Sequence, residues 1–549
     1  MYFLQNIIKN IFLLLICLTT TTVSLSKASD KNLFEEHQKI HKEIMHLKYN
    51  NNFSFEEPFV IINPYKLSPL SAYLIFNLKE ISLIKIIINE NEKCSTHYSI
   101  KSIGKKYLIP LIGLKEGYNQ VKIIAEAKDV GKLVKNIKIK TDNINNRLKI
   151  HIKKNTNKVC RNENIFVSPT YPGQPGINLM GFNKSGQILW FLDHKKIGSS
   201  NSLFVDKNGY LLINSEEYSK KPYYFSSYYK INLMGRIIKK INNSGYGHHE
   251  VIQLPNNNYL ALVDNYKQKT IEDRIVEFNE SGETINSWSL NKIMKLTNYK
   301  APDIYKYYAM NNDDVMASKD WIHLNALTLD HNDGDFIVSS RVLNAIIKIG
   351  YKDKKIKWIL TDPKQEWIND DLKKLLLKPR KNYQFNVYSY GQHSIKYFDK
   401  GELIVFDNGL YSDLYERNIY SYDKTYNLKN NRSRGLSYKI FKKTKKFEVK
   451  IIHSKDSQYY SSFLGSISKN NNDYLMNYGG ILKENGNPSD NIKKILFGES
   501  KKSKGYSSIF QIKNKKEIFH AEIIGEKVTT TYRSKLLNIK EMIENYVNQ

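Results

Sequence analysis

The stretch HLNALTLDHNDGDFIVSSR, residues 323–341, decides how this chain folds. Apolar residues recur up to Leu329, a polar turn of Asp, His, Asn and Gly follows, and Phe336, Ile337 and Val338 open a second apolar run. Two such runs around a short polar turn read as an antiparallel hairpin, because successive side chains of a strand point to opposite faces. With the turn centred on His331–Asp333, residue 330 is predicted to face 334 and residue 323 to face 341. The pattern returns as NSLFVDKNGYLLIN (201–214), HEVIQLPNNNYLALVDN (249–265), HSIKYFDKGELIVFDNG (393–409) and FLGSISKNNNDYLMNYGG (463–480).

A second kind of hairpin lies between these copies. It reads GINLMGFNKSGQILWFLD (176–193), YYKINLMGRIIKKI (228–241), RIVEFNESGETINSWSL (274–290), AIIKIGYKDKKIKWILTD (345–362), YKIFKKTKKFEVKIIHS (438–454) and SIFQIKNKKEIFHAEI (508–523). Two hairpins in alternation make a four-stranded unit, and such units repeated around an axis make a β-propeller. VTTTYRSKLL (528–537) is left to complete a unit by ring closure, which gives six blades over residues 156–549. Insertions at 291–320, 363–391 and 410–436 are expected as loops at one end, where propeller loops build sites.

Upstream, FVIINPY, SAYLIFNL, LIKIIIN, KYLIPLIGL, QVKIIAEA and LKIHIK are short alternating strands, predicting a small β-sandwich over 53–155. Residues 29–52, with FEEHQKIHKEIMHLK at 34–48, read as a short helical lead-in. Residues 1–28 have the layout of a signal peptide: Lys9, the apolar run Ile11–Leu18, then small polar residues. Ile16 before Cys17 is too large for a lipoprotein signal. The chain is therefore expected to be exported, with no membrane span after cleavage and with Cys94 and Cys160 as its remaining cysteines, paired or free.

The fold class is thus all-β. Tyr (39) and Phe (23) dominate the 12% of aromatic residues, which suits strands. The net charge of +30 comes mostly from Lys spread along the whole chain, without the compact Arg-rich block of a nucleic-acid site, so no nucleic-acid partner is expected.

Three of the inner hairpins begin with histidine: His249, His323 and His393. On the innermost strands of neighbouring blades they would present imidazoles to one channel at matching height. Arg341, across the hairpin from His323, joins them. Three histidines can hold zinc, but arginine opposes a cation and suits a bidentate grip on a tetrahedral oxyanion. A neutral imidazole beside it can attack sulfur or phosphorus while its neighbours carry protons. These residues favour transfer of an oxyanion group, with no metal and no cofactor.

The segments DWIHLNALTLDHNDGDFIVSSR (320–341), KIKWILTDP (355–363), QHSIKYFDKGELIVFDNG (392–409), HHEVIQLPNNNYLALVD (248–264) and TYRS (531–534) look like signatures of the aryl-sulfate sulfotransferase family. NPYKLSPLSA (63–72) and YLIPLIGL (107–114) resemble its N-terminal β-sandwich. The resemblance implies a periplasmic homodimer, an aryl sulfate donor, a phenolic acceptor, no 3′-phosphoadenosine sulfate, and ping-pong transfer through sulfohistidine. It implies that His393 is the nucleophile, with His323, Arg341 and one of His248 and His249 beside it. His249 is preferred because it aligns with His393 in the repeat and alternation turns His248 toward the blade. His248, Tyr390 and Asn408 are assigned to substrate binding. The cysteine pair that many relatives carry before the QH motif is absent, and Tyr388 and Tyr390 replace tryptophans there. Two other readings compete: a non-catalytic ligand-binding propeller, and a metal-dependent propeller hydrolase built on a carboxylate cage.

Overall fold

A computed structural model describes residues 31–101, 104–127, 131–144, 148–156, 162–170, 179–193, 197, 203–206, 208–214, 218–220, 224–264, 270–296, 320–410, 430–490, 503–525 and 528–547. The expected signal peptide, Cys160 and much of two insertions lie outside the described residues.

The helix Lys31–Asn50 carries Leu33, His37 and Ile44 on one buried face, spacings that fall on one side of a helix. It packs on the strands Lys106–Ile112 and Ile237–Gln253, and His37 Nδ1 accepts the Ile237 N–H at 3.0 Å. The N-terminal unit then stacks Phe59–Ile62, Ser71–Asn77 and Lys106–Ile112 in one sheet. The facing sheet holds Thr96–Lys101, Leu83–Ile88, Gly117–Ala127 and Gly131–Thr141. Alternate residues such as Ile84, Ile86 and Ile88 point inward, and this core continues through Trp190, Tyr229 and Met234 of the next unit. Cys94 is disulfide-bonded.

Leu148–Asn155 (LKIHIK) is not a strand of the sandwich: it pairs antiparallel with Lys516–Gly525 near the C-terminus. A strand of mostly polar, outward-facing side chains suits an exposed sheet edge, and it covers that of Lys516–Gly525.

Antiparallel four-stranded meanders follow. One is Leu324–Leu329, Phe336–Ser340, Ala345–Ile349 and Ile356–Leu360. Another is His393–Phe398, Glu402–Asp407, Arg434–Phe441 and Lys446–Ser454. The 17-residue strand Ile237–Gln253 joins two more, pairing first with Tyr224–Ile231 and then with Tyr259–Asp264. The strand Thr530–Asn538 pairs with Glu163–Thr170, so the end of the chain joins its first propeller sheet. The leading strands are neighbours in turn: Ile237–Gln253 beside Leu324–Leu329, then His393–Phe398, then Ser466–Asn470, then Thr530–Asn538. Sheets arranged this way around an axis are a β-propeller. Between sheets, apolar faces meet: Ala326, Ile337 and Trp358 pack on Ile395, Leu403 and Tyr438. A fully buried side chain such as Ile337 or Leu403 contributes about 1.5–3 kcal/mol. Ring closure leaves no room to spare, for a Cβ at Gly479 would sit 2.0 Å from the Thr531 carbonyl oxygen.

The predicted hairpin register holds at one end and slips at the other. Arg341 N–H donates to His323 O at 3.1 Å and Leu324 faces Ser340, but Asp330 pairs with Asp335 rather than 334. The turn is one residue longer than expected, and a bulge at Asn325 absorbs the difference.

Candidate active site

The residues singled out in the sequence meet where the leading strands begin. His249 and His323 have ring centroids 5.1 Å apart, and His249 lies 6.0 Å from Tyr532. His248 and His249 approach Nδ1 to Nδ1 at 2.9 Å. Both imidazoles therefore belong to the same cluster, and His248 does not turn away as alternation predicts. The reason is local: His249 has φ +51°, so the extended alternation breaks between them. His323 (φ +49°), Glu272 (φ +55°) and Ser394 (φ +56°) share this left-handed conformation. By backbone conformation His249 matches His323 and Ser394, which places His393 one residue out of the expected register. Strained non-glycine residues of this kind cost about 1–2 kcal/mol each and gather at functional sites.

His393 is buried, and its Nδ1 faces two oxygens, Asn408 Oδ1 at 2.8 Å and Gly391 O at 3.1 Å. The Asn408 amide nitrogen donates to Ser461 O at 2.8 Å and Leu464 O at 2.9 Å, so its oxygen must point at His393. Nδ1 then carries the proton and Nε2 the lone pair. Burial, and then the charge of Arg341, hold the His393 pKa well below its ordinary value. Arg341 is itself buried, and its charge acts on both His393 and Asp320.

His323 is in the opposite state. Its Nδ1 lies 2.6 Å from Asp320 Oδ2 and 2.9 Å from Glu272 Oε2. Burial opposes the charged ring, but the two carboxylates outweigh it and push the pKa up to about 10. Glu272, buried but facing this imidazolium, is held ionised with its pKa lowered. Asp320 is raised, because burial and the Glu272 charge outweigh His323. His248 and His249 stay neutral: burial drives His248 down to about 4 and His249 well below 6.5. One cluster thus holds a cationic imidazole between carboxylates and neutral imidazoles around it. Pairs of titratable groups driven apart in this way are the arrangement that acid–base and nucleophilic catalysis require.

Two expectations change. Tyr390 is buried, with its hydroxyl donating to Asp362 Oδ2 at 3.2 Å and accepting from Asn386 at 2.9 Å, so it braces the loop before the QH motif. Asn408 is fully buried and its amide is committed to His393 and two carbonyls, so it positions His393 rather than reaching a substrate. Gln392 is equally committed, donating to Ser340 O at 2.9 Å and Ala345 O at 3.0 Å, which locks the QH strand onto the SSR strand.

Sequence reasoning missed Glu272, Asp320 and Arg533. Asp320 stood three residues before His323 in the DWIH segment, but nothing in the local pattern marks Glu272. Arg533 donates to Gly465 O (3.1 Å), Asn325 O (3.2 Å) and Glu250 Oε2 (3.2 Å) beneath the cluster. The carboxylates also bring two sets of metal-capable groups together, His248–His249–Glu272 and Glu272–Asp320–His323, with ligand atoms within 4.8 Å in each. The sequence pointed to histidines and an arginine as the charged groups of the site, and these carboxylates add to them.

Residues 150–533 match the family described as Arylsulfotransferase (ASST), and residues 59–142 match the Arylsulfotransferase Ig-like domain. The chain belongs to the arylsulfotransferase family. Arylsulfate sulfotransferase AssT of Lelliottia amnigena is 25% identical over 448 residues, 64% of this chain and 73% of that protein. Arylsulfate sulfotransferase AssT of Escherichia coli O6:H1 is 26% identical over 275 residues, 41% of this chain and 45% of that protein. Among solved structures, a Bacteroides caccae protein of unknown function aligns with TM-score 0.34 and 11% identity, over 68% of this chain and 99% of that one. Family and relatives together support an aryl sulfotransferase. Among the described residues no helix is long and apolar enough to cross a membrane.

Proposed function

We propose that this arylsulfotransferase family member moves a sulfuryl group from an aryl sulfate to a phenol in two steps, through a covalent adduct on His393. The observation that carries the reading is the tautomer lock: Asn408 Oδ1 and Gly391 O both accept from Nδ1, which leaves Nε2 of a neutral imidazole as the nucleophile. In the first step the Nε2 lone pair attacks sulfur. The N–S bond forms, the S–O(aryl) bond breaks, and the departing phenolate takes the proton of the His323 imidazolium. The Nδ1 proton stays on Asn408's side of the ring, so the adduct is an N-sulfoimidazolium. In the second step the acceptor phenol returns a proton to His323, its oxygen attacks sulfur, and the N–S bond breaks. Arg341 grips the equatorial oxygens, where a loose transition state carries its charge, by analogy with phosphoryl transfer. His249 and His248, neutral and adjacent, complete the polar wall. No nucleotide donor or cofactor enters this scheme.

The same reading includes six blades, a periplasmic location and a homodimer. The disulfide at Cys94 fits an oxidising compartment.

The donor set His248–His249–Glu272 favours one second reading, a metal-dependent reaction in this channel. Incubation with an aryl sulfate alone, followed by peptide mass spectrometry under conditions that preserve N–S bonds, separates the two. The transfer mechanism requires one added sulfuryl group on the peptide containing His393, its loss in His393→Ala, and parallel double-reciprocal lines. A label on another residue sinks the assignment of His393, and activity lost to a chelator and restored by metal supports the second reading.

A further inference from the structure

Beneath the histidine cluster, the channel continues into a cavity of about 310 Å³ that the reaction above does not use. Its walls come from Ile237–Gln253, His393–Phe398, Ser466–Asn470 and Thr530–Asn538, the strands that carry or adjoin the catalytic residues at their other end. Arg533 separates the two spaces. Its charge reaches His393 above, and its side chain lines the cavity below.

Most charges around this cavity are answered by protein. Arg533 pairs with Glu250 at 3.2 Å and Lys469 with Glu402. Asp473 lies 3.7 Å from Lys513 and accepts from Gln511 at 3.1 Å. Two cations are left over. Lys396 and Lys535 make no ion pair among the described residues, although both line the cavity and the charge of Glu250 acts on each. Lys396 lines the cavity with an exposed side chain. Lys535 is pushed down to about 8, first by burial and then by the like charges of Lys396 and Arg533, with Glu250 opposing. Its ammonium sits 5.6 Å from the centre of the Phe204 ring. Glu250 is already paired with Arg533, so the cations lining the space outnumber its carboxylates, and an anion between Lys396 and Lys535 would balance them. The remaining wall mixes apolar side chains such as Ile252, Leu327 and Phe398 with the polar Ser394, Ser466 and Gln511, and its volume suits a compact anion.

We infer that this lower-channel cavity is a second anion site, in which Lys396 and Lys535 bind a small sulfate-type oxyanion on the far side of Arg533 from His393. The shared chemistry is a tetrahedral sulfur oxyanion, held by two point charges. It has two sources, free inorganic sulfate and a sulfate monoester, and the test includes both.

The test reads Lys535 directly in the full-length protein. A lysine with a depressed pKa acylates readily, so limited acetic anhydride at about pH 8 should modify Lys535 ahead of surface lysines. At constant ionic strength, set with chloride, sodium sulfate should slow acylation of the Lys535 peptide by at least about fivefold. The protection should persist in Arg341→Gln, whose upper oxyanion grip is removed. Phenyl sulfate is added in a His393→Ala background, where turnover does not consume it. Protection by inorganic sulfate assigns the free ion, and protection by phenyl sulfate alone assigns the ester. In parallel, Lys396→Met/Lys535→Met should lose one calorimetric sulfate-binding event while Arg341→Gln keeps it. No protection by either compound overturns the inference, as does protection that vanishes in Arg341→Gln. Neither result depends on whether His393 is the nucleophile.

Discussion

Replacing Glu272 by Gln tests how the site divides its protons. The amide keeps an oxygen where Glu272 Oε2 lies, 2.9 Å from His323 Nδ1, but removes the charge. At an effective dielectric of about 20, two unit charges at that distance interact by about 6 kcal/mol, an upper bound of about 4 pKa units. Burial of the charged pair takes back a large part, and Asp320 remains at 2.6 Å, so a net fall of about 2 units is expected. The His323 imidazolium, now titrating at about 10, would then titrate near 8. In the proposed mechanism a protonated His323 discharges the phenolate, so the alkaline limb of the donor half-reaction should move down by the same amount. Phenol release in a single turnover without acceptor, followed between about pH 6 and pH 11, isolates this step from ionisation of the acceptor. A variant that loses rate equally at every pH, with the limb unmoved, would show that Glu272 only supports the fold and that His323 is not the acid. Linkage gives a second sign. The His323 proton stabilises the fold fully below its unfolded pKa of about 6.5, and that contribution declines above it and is gone once pH passes about 10.

Other consequences are smaller in scope. Asn408→Ala should slow adduct formation on the order of tenfold rather than abolish it, because Gly391 O at 3.1 Å still accepts from Nδ1; single-turnover mass spectrometry reads the rate, and an unchanged rate removes Asn408 from the mechanism. Arg341→Lys keeps the charge but loses the planar fork, so turnover of a chromogenic aryl sulfate should drop on the order of 10²-fold, and near wild-type turnover would make Arg341 structural. Dialysis against a chelator should leave sulfuryl transfer intact, and loss of activity that zinc or calcium restores would shift the case to the His248–His249–Glu272 donor set. Gly479→Ala should destabilise the closed ring by about 1–3 kcal/mol, since its Cβ meets the Thr531 carbonyl; an unchanged melting temperature would place the strain elsewhere.

The strand repeats, the turn chemistry and the positions of His249, His323 and Arg341 were legible in the sequence, because alternation and turn residues are local and each hairpin specifies itself, whereas His393 stands one residue out of the register the repeat predicts. The pairing of Arg341 with His323 was legible for the same reason, as the two lie on one hairpin. The partnership of Leu148–Asn155 with Lys516–Gly525 was not, since an edge strand has the same pattern wherever it docks. Nor was the shared direction of His248 and His249, which depends on a left-handed backbone at His249 that no propensity predicts for histidine. Asn408 and Tyr390 stand beside the key motif, yet their roles follow from which carbonyls and carboxylates surround them, and those come from distant segments. Glu272 is the clearest case: 51 residues before His323 in the chain, it becomes the counter-charge of that imidazole only when adjacent propeller sheets close on one channel. Chain pattern determines the elements and their faces, whereas protonation states depend on charges and burial that tertiary packing alone brings within 3 Å.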